Sequence, residues 1–152
     1  MISQTAEYAL RAVACLGSRG DLPMPGAFLS EHAKIPADYV PRVMQQLNDA
    51  GIVRTKRGPG GGYLLAIPAS ELTALQVVNA IAPVSRIDHC PLGIPGHETL
   101  CPLHAKLDEA YAELQRVLAS TVIADILPNE SLTLQCGFPL PSDRTEPRET
   151  QS

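Results

Sequence analysis

No apolar run in this 152-residue chain approaches the roughly eighteen residues that a membrane span needs. The opening segment MISQTAEYALRAV lacks the basic-then-apolar order of a secretory signal, which points to a cytoplasmic protein without a membrane partner. There is no Gly-Lys-Ser/Thr phosphate loop leading into a helix, no nucleophile motif and no convincing acid–base pair, so the sequence gives no ground for an enzyme. Cysteine is scarce, with Cys15, Cys90, Cys101 and Cys136 the four present. Disulfides would need an oxidising compartment. Cysteines at irregular spacing in a reducing one are core thiols, metal ligands or redox sensors.

What is present describes a soluble globular chain, 45% hydrophobic with a mean hydropathy near zero. The length suits one domain, or a small domain with an arm. The net charge of −4 is unevenly spread. Residues 1–65 carry seven Lys/Arg against five acids, and the remainder five against eleven. A mildly basic front half on an acidic back half suits a polyanion-binding head on a regulatory body.

Apolar spacing predicts a helix over Thr5–Ser18, with Ala6, Ala9, Leu10, Val13 and Leu16 inward. Cys15 lies in that pattern and reads as a core thiol. A short helix follows at Ala27–Lys34, and another at Asp38–Asp49. Asp38 suits the N-cap, and Pro41 falls in the first turn, where its missing amide costs nothing. Val40, Val43, Met44 and Leu47 form the inward stripe of this helix, while Arg42, Gln45 and Gln46 face elsewhere. The pair reads as a helix-turn-helix or, more plainly, as any helical hairpin. The segment GIVRTKRGPGGGYLLAIP decides for the former. Strand-like runs at Ile52–Thr55 and Tyr63–Ile67 flank a glycine-rich tip in which Lys56 and Arg57 supply charge. A helix-turn-helix followed by such a hairpin is a winged helix, which reads DNA or, alternatively, binds protein.

After a further helix opened by Ser70 or Glu71–Leu72–Thr73, a long one is expected from Pro102 to Leu127. Its seam is Leu103, Leu107, Ala110, Leu114, Val117, Val122 and Ile126. Such a helix serves a homodimer reading two DNA half-sites, or folds back on its own domain. The expected fold class is therefore mainly α, a winged helix-turn-helix domain with a two-stranded wing and a long C-terminal dimerisation helix. The expected divisions are a DNA-binding domain at 1–83, a sensor loop at 84–103, the dimerisation helix at 104–128 and a disordered tail at 129–152.

Between the last two helices lies CPLGIPGHETLCPLH, Cys90 to His104. Cys90, His97, Cys101 and His104 match a tetrahedral zinc site in count and type, although their gaps are not those of a finger. Cys90 and Cys101 could instead form a reversible disulfide, or the loop could bind nothing. His89 reads equally well as a solvated surface residue.

The EYALRA start, the YVPRVMQQLNDAGIV helix and the RGPGGGYLLA wing resemble the IscR, NsrR and CymR type of winged-helix transcription regulator, the Rrf-two family. The resemblance spans about Met1 to Leu127. It implies a homodimeric repressor or activator of transcription bound to double-stranded DNA. On the family pattern, Asp38, Tyr39 and Arg42 begin the recognition helix in the major groove. Arg57 with Gly58, Pro59 and Gly60 forms the wing, which reaches the minor groove or phosphates. Pro41 departs from the polar residue often found there, and acidic Asp38 is a second departure. Many relatives carry an iron–sulfur cluster, held by three cysteines in this loop. Here the outer two are present and the middle one is replaced near Gly96 and His97. The resemblance implies a 2Fe–2S cluster on Cys90 and Cys101, completed by His104, by Glu7 of the partner subunit, or by His97. Mixed Cys/His ligation raises the potential relative to all-cysteine sites.

Overall fold

The structure, a computed structural model, describes residues 2–96 and 99–127. Its helices are α1 (Gln4–Ser18), α2 (Gly26–Ala33), α3 (Val40–Asp49), α4 (Ala74–Ile81) and α5 (Pro102–Ser120). Between α3 and α4 lie strands β1 (Val53–Lys56) and β2 (Gly62–Leu65), and a 3₁₀ turn at Ile123–Ile126 follows α5. This is the expected mainly helical winged helix-turn-helix with a two-stranded wing. None of these helices is long and apolar enough to cross a membrane. His97, Cys136 and the tail from 129 onward lie outside the described residues.

Ser3 starts α1, its hydroxyl accepting the Ala6 amide at 3.2 Å. Ala6, Ala9, Ala12, Val13 and Cys15 are fully buried. α1 packs against α2, α3, α4, β2 and the 3₁₀ turn. Alanines at three of these positions let the neighbouring elements approach closely.

α2 ends at Lys34, which is held in the left-handed conformation at φ 54°. The turn continues with the Ile35 amide on Ser30 O and the Tyr39 amide on Pro36 O. Asp38 therefore sits inside the turn and not at the N-cap. Tyr39 occupies the N-cap without a side-chain capping bond, and Pro41 is the second helical residue. The proline suits the helix start by itself, because its fixed φ is already helical.

The wing pairs Val53 with Leu65 through Lys56 with Gly62, antiparallel. The strands thus sit one residue away from the sequence expectation at each inner end. Met24 extends the ladder, exchanging 2.9 Å backbone bonds with Tyr63. That close approach requires Gly62, where φ is +147° and a Cβ would stand 2.4 Å from the Met24 carbonyl. The start of β2, next to the wing tip, is thereby tied to the chain entering α2.

Thr73 and Gln76 form a capping box that starts α4, which fixes the helix start among the candidates at Ser70–Thr73. The long helix is shorter than its apolar seam suggests, ending at Ser120 and not at Leu127. Ser120 and Thr121 both donate their hydroxyls to Val117 O, and the chain turns extended. Val122 then bridges Thr73, and the Ile123 amide donates to Leu72 O at 2.8 Å. Ile123 is fully buried in the main core beside α1. Residues 121–127, expected to continue the helix that serves a partner, fold back on their own domain. Truncating this anchor, Ile123→Ala, is expected to cost about 2–4 kcal/mol, read as a Tm lowered by several degrees in thermal unfolding.

Candidate functional site

The first candidate surface is the exposed side of α3 together with the wing tip. Asp38, Tyr39 and Arg42 are exposed at the start of α3. Gln45 is also exposed, its amide donating to Asp49 at 2.7 Å. Gln46 departs from this set. It is only half exposed, and its Oε1 points inward without a partner. Lys56, Arg57, Gly58, Pro59 and Gly60 are all exposed along the wing tip. The tip is shaped by left-handed glycines at 58 and 60.

The second candidate is a soft-ligand cluster. Cys90 Sγ, Cys101 Sγ and a ring nitrogen of His104 lie within 4.8 Å of one another. His104 Nδ1 is 3.0 Å from the Cys101 sulfur and 3.9 Å from that of Cys90. The cause is local. Cys101 is the N-cap of α5, Pro102 begins the helix, and His104 falls one turn on. A helix start also presents its positive dipole end to any anionic centre bound there. Cys90 is buried in a loop whose neighbours from Asp88 to Gly96 are otherwise exposed. His89 is exposed and pairs with Asp88, away from the triad. Cys15 is elsewhere, in the core against the Met24 sulfur at 3.6 Å. Burial pushes its thiol up to about 12, against a small opposing pull from Arg19. It is inert at neutral pH.

Glu7 is not near this triad within its own chain. It faces solvent on α1 and pairs with Arg11 at 2.7 Å. Arg11 also donates to Lys34 O at 3.0 Å, the carbonyl of the helix-turn-helix turn. The ring of Tyr8 meets that of Tyr39 edge-on, centroids 5.4 Å apart, and Arg11 lies over Tyr8. Sequence reading passed over Arg11, treating it only as a charge. Its signal was the Glu7–Arg11 spacing of four on a helix. It also passed over Asp108, one turn beyond His104, which grips Arg86 and the Ile87 amide.

The Rrf2 family, iron-dependent transcriptional regulators, matches residues 2–129. The HTH-type transcriptional regulator IscR of Photorhabdus laumondii is 30% identical over 112 residues, covering 72% of this chain and 68% of that protein. Among solved structures, CymR, the global cysteine regulator of B. subtilis, gives a TM-score of 0.70 at 21% identity, over 84% of this chain and 95% of that one. IscR of T. potens gives 0.68 at 19% identity, over 84% and 85%. The family match runs from α1 through the whole winged helix to the end of the described residues, and the fold agrees with it. The chain belongs to the Rrf2 family of transcriptional regulators, which are DNA-binding proteins and not enzymes.

Proposed function

We propose that this protein is a homodimeric regulator, a repressor in its simplest form, whose operator affinity is set by a metal centre at Cys90, Cys101 and His104. The observation that carries the reading is the convergence of two sulfurs and an imidazole nitrogen within 4.8 Å. Three soft donors with one position left open fit a 2Fe–2S cluster of mixed ligation. Glu7 of the partner subunit is the fourth ligand in this reading, and His97 the alternative. When bound, such a cluster supplies a reversible one-electron couple. The same donors fit zinc as a second choice. The closeness of the two sulfurs also favours a reversible Cys90–Cys101 disulfide as the third.

A second copy has a place to sit. Leu103, Leu107, Ala110, Leu114 and Val117 recur along α5 at steps of three and four, and Leu103 and Leu107 are exposed. An apolar groove of about 530 Å³ lies between Ile2 and Leu107–Leu114. A helix pair on this seam would bring α1 of one chain toward the sensor loop of the other.

Arg11 then links sensor to reader. While Glu7 holds Arg11, the guanidinium reaches Lys34 O in the turn before α3. Drawing the Glu7 carboxylate to the partner's triad would leave Arg11 without that anchor and alter the support of the turn. This is a local event biasing a two-state element. On DNA, Arg42 would read guanine and the wing would enter a narrow minor groove.

Protein purified without oxygen is expected to show visible charge-transfer absorption, with iron and acid-labile sulfide in equal amounts. Cys90→Ala and His104→Ala would lose both. Zinc without sulfide would replace the cluster, and neither metal with a reversible disulfide would leave the thiol switch. In mobility shifts with its own promoter region, Arg57→Ala is expected to weaken binding and lower the salt slope by about 1. An unchanged slope would remove the wing from the DNA contact.

A further inference from the structure

The segment that carries Cys90 to the triad is bound along α5 by side chains outside it. The Val84 amide donates to Asn79 at the end of α4, and Gln115 donates to Val84 O. Arg86 then meets Asp108 in a two-pronged pair, Nε to Oδ1 at 2.7 Å and a terminal nitrogen to Oδ2 at 2.5 Å. Asp108 Oδ1 also accepts the Ile87 amide at 2.9 Å. Three charge-assisted bonds on one carboxylate make a more rigid junction than a lone surface pair. The Asp108 side chain is only 15% exposed. The bonds from Arg86 and Ile87 together hold its carboxyl down at about 2.

The placement matters because Cys101, His104 and Asp108 are spaced three and four apart and share one face of α5. Asp108 thus ties the incoming chain to the face that bears two of the three soft donors. Only Asp88 and His89 separate Ile87 from Cys90, and both are exposed. Upstream, Val84 packs against the cluster of Ala6, Ala74, Val78 and Leu118, and between it and Cys90 the Asp108 junction is the point of attachment.

We infer that the Arg86–Asp108 pair is a positioning clamp that sets Cys90 against Cys101 and His104, an inference resting on the reading of those three as a ligand set. Arg86 and Asp108 touch no ligand themselves. They act on the triad by fixing where the loop leaves α5. Cutting the clamp frees the Cys90 thiol while leaving Cys101 and His104 on their helix.

The test uses the full-length, reduced, metal-free protein and maps iodoacetamide labelling of each cysteine by mass spectrometry. In Arg86→Ala or Asp108→Asn, Cys90 is expected to label about five to ten times faster, as its local opening becomes easier. Cys15 in the core keeps its parent rate. Exchanging the charges, Arg86→Asp with Asp108→Arg, recovers part of the protection, since the Ile87 bond is not restored. Unchanged Cys90 labelling, or equal acceleration of Cys15, would overturn the clamp. Cobalt(II) titration, read by its thiolate absorption, runs in parallel and is expected to weaken by a similar factor in the single variants. A parent protein that takes up no cobalt but shows the labelling pattern would refute the metal reading and support the clamp.

Discussion

Three alanines on one helix, Ala6, Ala9 and Ala12, are completely buried, and the rest of the molecule is arranged around that close approach. α1 touches both helices of the helix-turn-helix pair, the second wing strand, α4 and the returning 3₁₀ turn. Ala6 joins Ala74, Val78 and Leu118 in a second cluster that ties α1 to the α4–α5 platform. A larger side chain at any of these positions would push apart elements that pack on this helix. The same helix turns a polar edge outward, bearing Glu7 and Arg11. One rigid element is therefore both the spine of the reading head and the nearest neighbour of a partner's sensor loop in the proposed dimer.

In the proposed dimer the response would run through the turn that precedes α3. The turn between α2 and α3 contains a strained left-handed Lys34, and its carbonyl is held by Arg11. Such a turn is a suitable point of control, because a residue in this conformation persists only while its surroundings hold it. At the other end, the soft donors depend on two supports. One is the α5 start, which fixes Cys101 and His104, and the other is the Asp108 junction, which fixes the segment leading to Cys90. One acid of the acidic C-terminal half, Asp108, is thus used for positioning.

Much of this was legible in the sequence where the local pattern and the tertiary demand agreed. The periodicity of α1 and α3, the glycine-rich wing and the inward stripe Val40, Val43, Met44, Leu47 are examples. The Cys90–His104 stretch held, by composition, the soft side chains that the fold brings together. What escaped depended on contacts distant in the chain. The apolar steps through Val122 and Ile126 read as helix, but the edge offered by Leu72 and Thr73 captured the chain as extended structure. Asp38 had the chemistry of an N-cap, but Pro36 had already made the turn that displaced it. Gln46 counted as outward by spacing, yet its carbonyl oxygen faces inward. Arg11 and Asp108 were unremarkable charges until folding placed a backbone group beside each.

In the proposed mechanism a centre at Cys90, Cys101 and His104 acts on α3 through Glu7 and Arg11. The most direct measurement is operator affinity before and after removal of that centre, in the parent and in Arg11→Ala. The account predicts a change of about ten-fold or more in the parent, within the usual range of coupling energies. In Arg11→Ala that ratio falls close to one while the metal content stays the same. An undiminished ratio in Arg11→Ala would contradict the account.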